Sequence, residues 1–295
     1  MTFQPKGIIP AMVTPITSDG KINVGALRKL TNYLIEGGVH GLFPVGSQGE
    51  FYALTFEEKK KVIETVVEET RGRVPVYAGT GAITTREAVT LTKMAEAAGV
   101  TAVSVLTPFF ITPNEAELFE FYSAIAKSTR LPVLLYNNPA KTGINISANF
   151  VVRASKIENI VGIKDSSGDF TLTAEYIRRT DESFSVLAGR DTLIYGTLCC
   201  GGKGAIAATA NVAPKVIVEI YEAFMAGDMK RSLAAQFRLA PLRLAFELGT
   251  FPVVIKEALN LIGIEAGAAI APVGGIKPEA KEELKKILKN MGLLN

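Results

Sequence analysis

Short apolar segments alternate with longer amphipathic segments along most of the chain. The apolar segments are hydrophobic on both faces, which is typical of strands in a parallel sheet that helices cover on both sides. The pattern predicts eight strands, at residues 7–13, 41–45, 75–79, 102–106, 133–137, 160–164, 185–189 and 204–207. It predicts helices between them, at residues 24–36, 55–70, 84–98, 114–128, 148–156, 171–179 and 193–200.

Two of these helices carry recognisable start signals. Thr55 precedes a helical pattern and is followed three residues later by Glu58, which is the spacing of a capping box. Glu115 and Glu117 fall in the first turn of another helix, where the helix dipole favours acidic side chains. Both signals support the helical assignment.

The alternation of strand and helix also predicts the fold class. Eight β/α units match an α/β fold of the (β/α)8 type, the TIM barrel, in number and size. An open doubly wound sheet is the alternative, and it would normally carry a glycine-rich phosphate-binding turn after an early strand. Residues 79–82 (Gly-Thr-Gly-Ala) have two glycines of such a turn and lack the third. The sequence therefore favours the barrel.

The alternation stops after Val212. Helical patterns follow at residues 214–226, 229–248, 252–262 and 278–291, and no low-complexity linker precedes them. We therefore predict two domains: a catalytic (β/α)8 barrel over residues 1–225 and a C-terminal helical region over residues 226–295 that packs on the barrel.

Composition narrows the classes of function and location. A formal net charge of +3 and the absence of a long basic run argue against nucleic-acid or membrane binding. No apolar run is long enough to span a membrane without glycine, proline or charge, and residues 1–6 lack a signal-peptide pattern. The two cysteines, Cys199 and Cys200, are adjacent and are poor partners for each other in a disulfide, so we predict a cytoplasmic location.

The single histidine, His40, limits the possible chemistry. One histidine excludes a multi-histidine metal site and leaves a Ser-His-Asp triad only one possible centre. His40 precedes a predicted strand, which favours a structural role in a loop or at a strand start.

Lys164 ends the sixth predicted strand, in the apolar run 160–164. A lysine at the rim of an apolar interior loses hydration of its ammonium form, so the neutral amine becomes available as a nucleophile. A neutral amine that faces a cleft is what Schiff-base formation with a carbonyl substrate requires. The alternative is a lysine that ends a strand and extends its ammonium into water.

Other polar groups follow neighbouring predicted strands, and barrel active sites lie at the C-terminal ends of strands. In residues 46–49 (Gly-Ser-Gln-Gly), backbone N–H groups could converge on a carboxylate, or the glycines could serve a tight turn. The phenol of Tyr136 could relay a proton, or it could simply bond a buried carbonyl. An amine, a phenol and a carboxylate-binding turn at one mouth suit Schiff-base chemistry on a 2-oxo acid, for which no metal is needed.

Four stretches of this sequence resemble the dihydrodipicolinate synthase/N-acetylneuraminate lyase family of class I, pyruvate-dependent aldolases. They are residues 46–51 (GSQGEF), 136–143 (YNNPAKTG), 162–169 (GIKDSSGD) and 188–191 (AGRD). They occur in the order and at the spacing of the family, and the resemblance covers essentially the whole chain. It implies an enzyme that forms or cleaves a carbon–carbon bond between pyruvate and an aldehyde, without a cofactor.

The resemblance also implies roles for individual residues. Lys164 would form the iminium with pyruvate, and Tyr136 would shuttle protons and hold the pyruvyl group. Ser47 and Gln48, which follow Gly46, would bind the pyruvate carboxylate and join the proton relay.

The same resemblance places further residues around the substrates and in an assembly. The backbone carbonyl of Ile206 would line the pyruvate pocket, and Gly189 and Asp191 would contact the second substrate. The family forms tetramers, so a homotetramer is implied, with Phe110 near a subunit interface.

Three positions depart from the synthases of the family. The synthases have two threonines in the first turn, where this chain has Ser47 and Gln48. They take a tyrosine from a neighbouring subunit at the position of Phe110, and they bind the carboxylate of the aldehyde with an arginine at the position of Lys141. Lysine keeps the charge but loses the bidentate geometry of arginine.

These departures favour an aldolase that acts on a 4-hydroxy-2-oxo acid, such as 4-hydroxy-2-oxoglutarate, or on a 2-keto-3-deoxy sugar acid. The named alternative is 4-hydroxy-tetrahydrodipicolinate synthase, which condenses pyruvate with aspartate semialdehyde. A dehydratase is a further possibility, because the same iminium supports β-elimination. An alternative of another class is a non-catalytic protein that binds 2-oxo acids.

Overall fold

The computed structural model describes residues 3–294, so that Met1, Thr2 and Asn295 lie outside the described residues. The strands are β1 (Gly7–Pro10), β2 (Tyr77–Gly79), β3 (Ala102–Leu106), β4 (Val133–Asn137), β5 (Ile160–Asp165), β6 (Ser185–Ala188) and β7 (Gly204–Ala207). They pair in parallel in the order β1-β7-β6-β5-β4-β3-β2, and nearly all their residues are buried. This parallel sheet with helices between its strands confirms the predicted α/β class.

Residues 41–45 close the sheet into a barrel between β1 and β2. On one side the Phe43 N–H donates to the Pro10 carbonyl at 2.9 Å. On the other side the Leu42 N–H donates to the Pro75 carbonyl at 2.9 Å. The open doubly wound sheet is therefore excluded, since both edges of the sheet meet through this segment.

The regular strand predicted at residues 41–45 is wrong in detail, because the segment pairs only through isolated bridges. Pro44 has no N–H to donate to a ladder. Val45 has a φ of 59°, a left-handed conformation that a regular strand cannot contain and that a β-branched residue rarely adopts. The segment thus takes the eighth position in the barrel, and the chain changes direction at Val45 before it enters residues 46–49.

The helices lie outside the barrel and at its C-terminal end. They are α1 (Val24–Glu36), α2 (Phe56–Thr70), α3 (Thr85–Ala97), α4 (Glu115–Lys127), α5 (Pro139–Thr142), α6 (Ala148–Ala154), α7 (Phe170–Arg179), α8 (Ile194–Cys199), α9 (Pro214–Met225), α10 (Met229–Leu244), α11 (Val253–Leu261) and α12 (Pro278–Asn290). The short α5 was not predicted, because four residues are too few to show a helical period. No helix within residues 3–294 is both long enough and apolar enough to cross a membrane.

The start signals act as the sequence predicts. The Thr55 hydroxyl accepts the Glu58 N–H at 3.2 Å, and the Glu58 carboxylate accepts the Thr55 N–H at 2.8 Å. Asn114 and Glu117 form the same reciprocal pair at the start of α4. These bonds satisfy N–H groups that the helix itself leaves without partners.

The C-terminal helices pack on the barrel through α10. The Gln236 side chain donates to the Asp191 carbonyl at 2.9 Å and accepts the Tyr195 N–H at 2.9 Å. Helix α10 was predicted to reach residue 248, but it ends at Leu244 and a tighter 3-10 turn follows over Ala245–Leu248. The predicted domain boundary between residues 225 and 226 stays a prediction.

Side chains from the strands fill the barrel interior. This inner core consists of Ile9, Ala11, Phe43, Tyr77, Ala102, Leu134, Leu187 and Ile206. A second and larger apolar layer lies between the strands and the helices. Because the interior is filled, reactive side chains can meet solvent only at the ends of the strands.

Candidate active site

A cavity of about 150 Å³ opens at the C-terminal ends of the barrel strands. It is lined by Ala11, Ser47, Gln48, Tyr136, Asn138, Ala140, Lys141, Lys164, Ser166, Gly189, Arg190, Asp191, Ile206, Ala208, Arg243, Phe246 and Phe251. The cavity therefore combines eight of the side chains and backbone positions that the sequence predicted with others that it did not.

The register of β4 and β5 places Lys164 beside Tyr136. The two residues are direct partners in the parallel pairing, so their side chains leave the sheet on the same face. The Lys164 Nζ lies 4.1 Å from the centroid of the Tyr136 ring and 5.3 Å from that of Phe43. Lys164 is only 4% exposed, which places a primary amine at the inner wall of the cavity.

The surroundings of the Tyr136 phenol favour loss of its proton. Burial alone would raise the pKa of Tyr136, but the positive charge of Lys164 and hydrogen bonds to the phenol outweigh burial and lower the pKa below its ordinary value. The hydroxyls of Ser47 and Ser166 supply two of these bonds. The Asn138 amide donates a third to the phenol oxygen at 3.1 Å. The phenol is thus connected to hydroxyls that line the same cavity.

The Ser47–Gly49 turn presents a side chain that has no partner of its own. Gln48 is 2% exposed, and within residues 3–294 neither polar atom of its amide forms a hydrogen bond. Buried polar groups without partners are rare and costly in folded proteins. Since Gln48 lines the cavity, its amide is available to a bound polar ligand.

The β6 end of the site is packed too closely for larger residues. A Cβ atom on Gly189 would lie 2.1 Å from the Ser166 Oγ, so only glycine fits there. The neighbouring Asp191 is 2% exposed, and its Oδ2 accepts the Thr209 hydroxyl at 2.6 Å and the Thr209 N–H at 2.8 Å. These bonds fix the Asp191 carboxylate at the cavity wall.

Two predicted site residues lie outside this cavity in the single chain. Gly46 borders a small adjoining cavity that it shares with Ser47 and Tyr136. Phe110 is 94% exposed and has a φ of 72°, so its ring points away from the fold. Its predicted role near the site therefore stays a prediction that depends on a second subunit.

Three aromatic and cationic side chains from the C-terminal region were missed by sequence reasoning. Arg243 extends from α10, and its guanidinium stacks 4.5 Å from the centroid of the Phe246 ring. Phe251 lies 5.3 Å from the Lys141 Nζ. No motif marks these residues, because they reach the cavity only through the packing of α10 on the barrel.

Comparison with known proteins agrees with this geometry. A model of the dihydrodipicolinate synthetase family matches residues 4–291. A 4-hydroxy-tetrahydrodipicolinate synthase of Methanopyrus kandleri is 40% identical and covers 100% of this chain and 99% of its own length. The crystal structure of dihydrodipicolinate synthase from Aquifex aeolicus is 33% identical, with a TM-score of 0.95 over 98% of this chain and 99% of the other.

A third comparison involves a structure with a bound small molecule. A prophage protein of E. coli K12 that belongs to the dihydrodipicolinic acid synthase family was solved in complex with pyruvate. It is 34% identical to this chain and superposes with a TM-score of 0.95 over 98% of this chain and 99% of its own. The barrel and the full-length matches lead to one conclusion: this chain belongs to the dihydrodipicolinate synthetase family and is a class I, pyruvate-dependent aldolase.

Proposed function

We propose that the enzyme joins pyruvate to an aldehyde, or cleaves the product of that reaction, through an iminium on Lys164. The observation that carries the proposal is the position of Lys164, a buried amine in register with the Tyr136 phenol at the cavity wall. The buried Gln48 amide without a partner, next to Ser47, supplies the neighbouring group that would bind the pyruvate carboxylate.

In the first stage, the Lys164 ammonium releases a proton to solvent, and the neutral amine that results adds to the C2 carbonyl of pyruvate. The resulting carbinolamine loses water and becomes an iminium. Tyr136 takes a proton from the nitrogen and gives a proton to the departing hydroxyl. Loss of a proton from C3 then gives an enamine, because the iminium accepts the electron pair of the broken C–H bond. The hydroxyls that hydrogen-bond the Tyr136 phenol suit it to this proton transfer.

In the second stage, the enamine carbon attacks the aldehyde and a carbon–carbon bond forms. The aldehyde oxygen takes a proton as its π electrons move onto it, and hydrolysis of the new iminium releases the product and restores Lys164. The retro-aldol direction follows the same steps in reverse. The polar residues Asn138, Ser166 and Asp191 line the cavity and would bind the part of the aldehyde beyond its carbonyl.

The first candidate for the aldehyde is aspartate semialdehyde, which would make the enzyme a 4-hydroxy-tetrahydrodipicolinate synthase. Relatives that match over their full length at about 40% identity carry this name. Their names favour the synthase over the aldolase that the three departures in sequence predicted. Three cationic side chains line the cavity and would attract an aldehyde that carries a carboxylate. They are Lys141, Arg190 and Arg243.

The second candidate is an aldolase that acts on a 4-hydroxy-2-oxo acid or on a 2-keto-3-deoxy sugar acid. One specific observation favours it: the turn beside Lys164 offers the unpartnered amide of Gln48 instead of a second hydroxyl. An amide supplies two N–H donors and a carbonyl acceptor, whereas a hydroxyl supplies a single donor, so Gln48 could bind the pyruvate carboxylate and still bond a hydroxyl of the second substrate.

A trapping experiment followed by a substrate panel separates these candidates. We expect pyruvate and borohydride to leave a reduced adduct on Lys164, detected by intact mass and peptide mapping. Turnover would then be measured with aspartate semialdehyde, glyoxylate, glyceraldehyde and N-acetylmannosamine. The highest kcat/KM with aspartate semialdehyde would support the synthase, whereas a preference for glyoxylate or glyceraldehyde would support the second candidate. The absence of any adduct and of any turnover would contradict the proposed function.

The Arg243→Leu variant should lose affinity for the acidic aldehyde. Within residues 3–294 its guanidinium forms no ion pair, so its charge is available to a substrate carboxylate. Loss of one charge-assisted hydrogen bond predicts a KM for the aldehyde about 10- to 100-fold higher, with the KM for pyruvate nearly unchanged.

The matched control for this variant is Arg238→Leu, on the same helix. Arg238 pairs with Glu219 at the surface and does not line the cavity, so its loss should leave both KM values unchanged. An unchanged aldehyde KM in Arg243→Leu would show that the cation does not bind the substrate.

We also propose that the enzyme forms the homotetramer that its resemblance implies. Phe51 packs against Phe109 with ring centroids 5.7 Å apart, which brings their segments together. The neighbouring side chains Tyr52, Phe110 and Ile111 are exposed and would supply an apolar contact between subunits. Sedimentation equilibrium of the purified protein tests this assembly, and a monomer at micromolar concentration would contradict it.

A further inference from the structure

A buried ion pair ties the Ser47–Gly49 turn to the C-terminal helical region. The Lys256 ammonium, on α11, is in direct contact with the Glu50 Oε2, and the two side chains are 1% and 0% exposed. Lys256 also donates to the Ala268 carbonyl at 2.8 Å. The second carboxylate oxygen of Glu50 accepts the Ile270 N–H at 2.6 Å. Two distant segments of the chain therefore hold the residue that ends the turn.

The backbone of this turn needs such support. Glu50 has a φ of 55°, a left-handed conformation that is unfavourable for a residue with a side chain. Strained conformations of this kind persist where the surrounding contacts determine them. The Glu50 N–H also donates to the Ser47 carbonyl at 3.1 Å, so the position of Glu50 fixes the shape of the turn.

The Lys256 ammonium and the Glu50 carboxylate each stabilise the charged form of the other in the protein interior. Burial lowers the pKa of Lys256, and the contact with Glu50 opposes that shift. A buried carboxylate without its counter-charge is strongly destabilising. If the turn binds the pyruvate carboxylate, as the proposed function assigns, an unpaired Glu50 carboxylate would also repel that substrate, and the Lys256 ammonium cancels the repulsion.

We propose that Glu50 and Lys256 are positioning residues, through which the C-terminal helical region holds Ser47 and Gln48 in the geometry that binds the pyruvate carboxylate. The inference rests on the proposed function, which assigns the carboxylate to this turn. Neither charged side chain lines the cavity, so both act through the turn and not on the substrate.

The experiment compares Lys256→Met with the double variant Glu50→Gln/Lys256→Met in the full chain. The single variant leaves a buried carboxylate unpaired and could impair folding, whereas the double variant removes both charges. The readout is the pyruvate concentration that gives half-maximal borohydride trapping of Lys164. We expect this concentration to rise about 10- to 100-fold in the double variant, because a small misplacement of binding groups has effects of this size. The trapping rate at saturating pyruvate should change by less than about threefold.

The matched control is Lys281→Met, which breaks the Lys281–Glu257 ion pair of 2.6 Å in the same helical region. That pair is more exposed and does not contact the turn, so pyruvate dependence should stay at the wild-type value. A folded double variant with wild-type pyruvate dependence would overturn the inference. The inference would also be overturned if the trapping rate at saturating pyruvate fell in proportion to the loss of folded protein while the half-saturating pyruvate concentration stayed at the wild-type value.

Hydrogen exchange gives a readout that does not depend on trapping. The amides of residues 46–51 should exchange faster in the double variant than in the wild type, and at the wild-type rate in Lys281→Met. Unchanged exchange in the double variant would also overturn the inference. If the wild type forms no adduct at all, the proposed function fails, and the exchange data still decide whether the ion pair holds the turn.

Discussion

The Lys164→Ala variant is expected to lose both borohydride trapping and turnover. Lys164 is the amine at the cavity wall, and alanine cannot form an iminium with pyruvate. Removal of a covalent nucleophile predicts a fall in kcat/KM of more than about 10⁴-fold. Intact-mass spectrometry after pyruvate and borohydride treatment, together with steady-state kinetics, checks both losses.

The control for this variant is a second lysine of the same cavity. Lys141→Ala removes an amine that also lines the cavity, but it should leave the adduct on Lys164. Lys256 is also deeply buried, but it is paired with Glu50 and should not react. Turnover by Lys164→Ala through another lysine would contradict the mechanism, provided that circular dichroism shows a folded protein.

The Tyr136→Phe variant is expected to keep the fold and lose most of the rate. The phenol is the group to which we assign proton transfer; it is buried, its ring centroid lies 4.1 Å from the Lys164 Nζ, and phenylalanine preserves that ring. Loss of general acid–base catalysis predicts a kcat lower by about 10²- to 10⁴-fold. Borohydride trapping should be slower but still present, because the nucleophile remains.

The pH profile gives a second test of Tyr136. The phenol donates protons only while protonated, so activity should fall as the pH rises through its pKa. That pKa lies below the ordinary phenol value, because Lys164 and the hydrogen bonds to the phenol outweigh burial. The alkaline limb of kcat should therefore occur below the pH of an ordinary phenol and should be absent from Tyr136→Phe. An identical limb in the variant would assign the titration to another group.

Tyr122→Phe is the matched control for both measurements. Tyr122 is a buried tyrosine on α4 whose hydroxyl donates to the Val105 carbonyl at 3.0 Å, outside the cavity. Burial raises the pKa of Tyr122, so this phenol does not titrate in the range of the assay. Its loss should cost about 1 kcal/mol of stability and leave the pH profile unchanged.

The sequence was sufficient for most of the fold because the regular elements follow local patterns. Helix α1 spans the predicted residues 24–36, since its apolar side chains recur at the helical period. Strands β3, β4 and β7 also match their predicted bounds, because each is a short and mainly apolar run without charged residues. The prediction was less accurate at residues 41–45, where Pro44 and the left-handed Val45 interrupt the strand.

For the candidate site, the sequence identified the residues at the ends of the strands, helped by the resemblance of four motifs. It placed Lys164 and Tyr136 at neighbouring strand ends, but only the register of β4 against β5 puts the amine against the phenol ring. Register depends on contacts between strands, which a local pattern in one strand does not contain.

Two features of the site came only from the tertiary structure. Arg243 reaches the cavity because α10 packs across the barrel mouth, and Lys256 meets Glu50 because α11 packs against the turn. The sequence alone determined which segments form strands and helices, and which strand ends carry reactive groups, because hydrophobic periodicity and chain order are local properties. The tertiary structure decided which distant charges meet, because their contacts depend on how the C-terminal helices pack on the completed barrel.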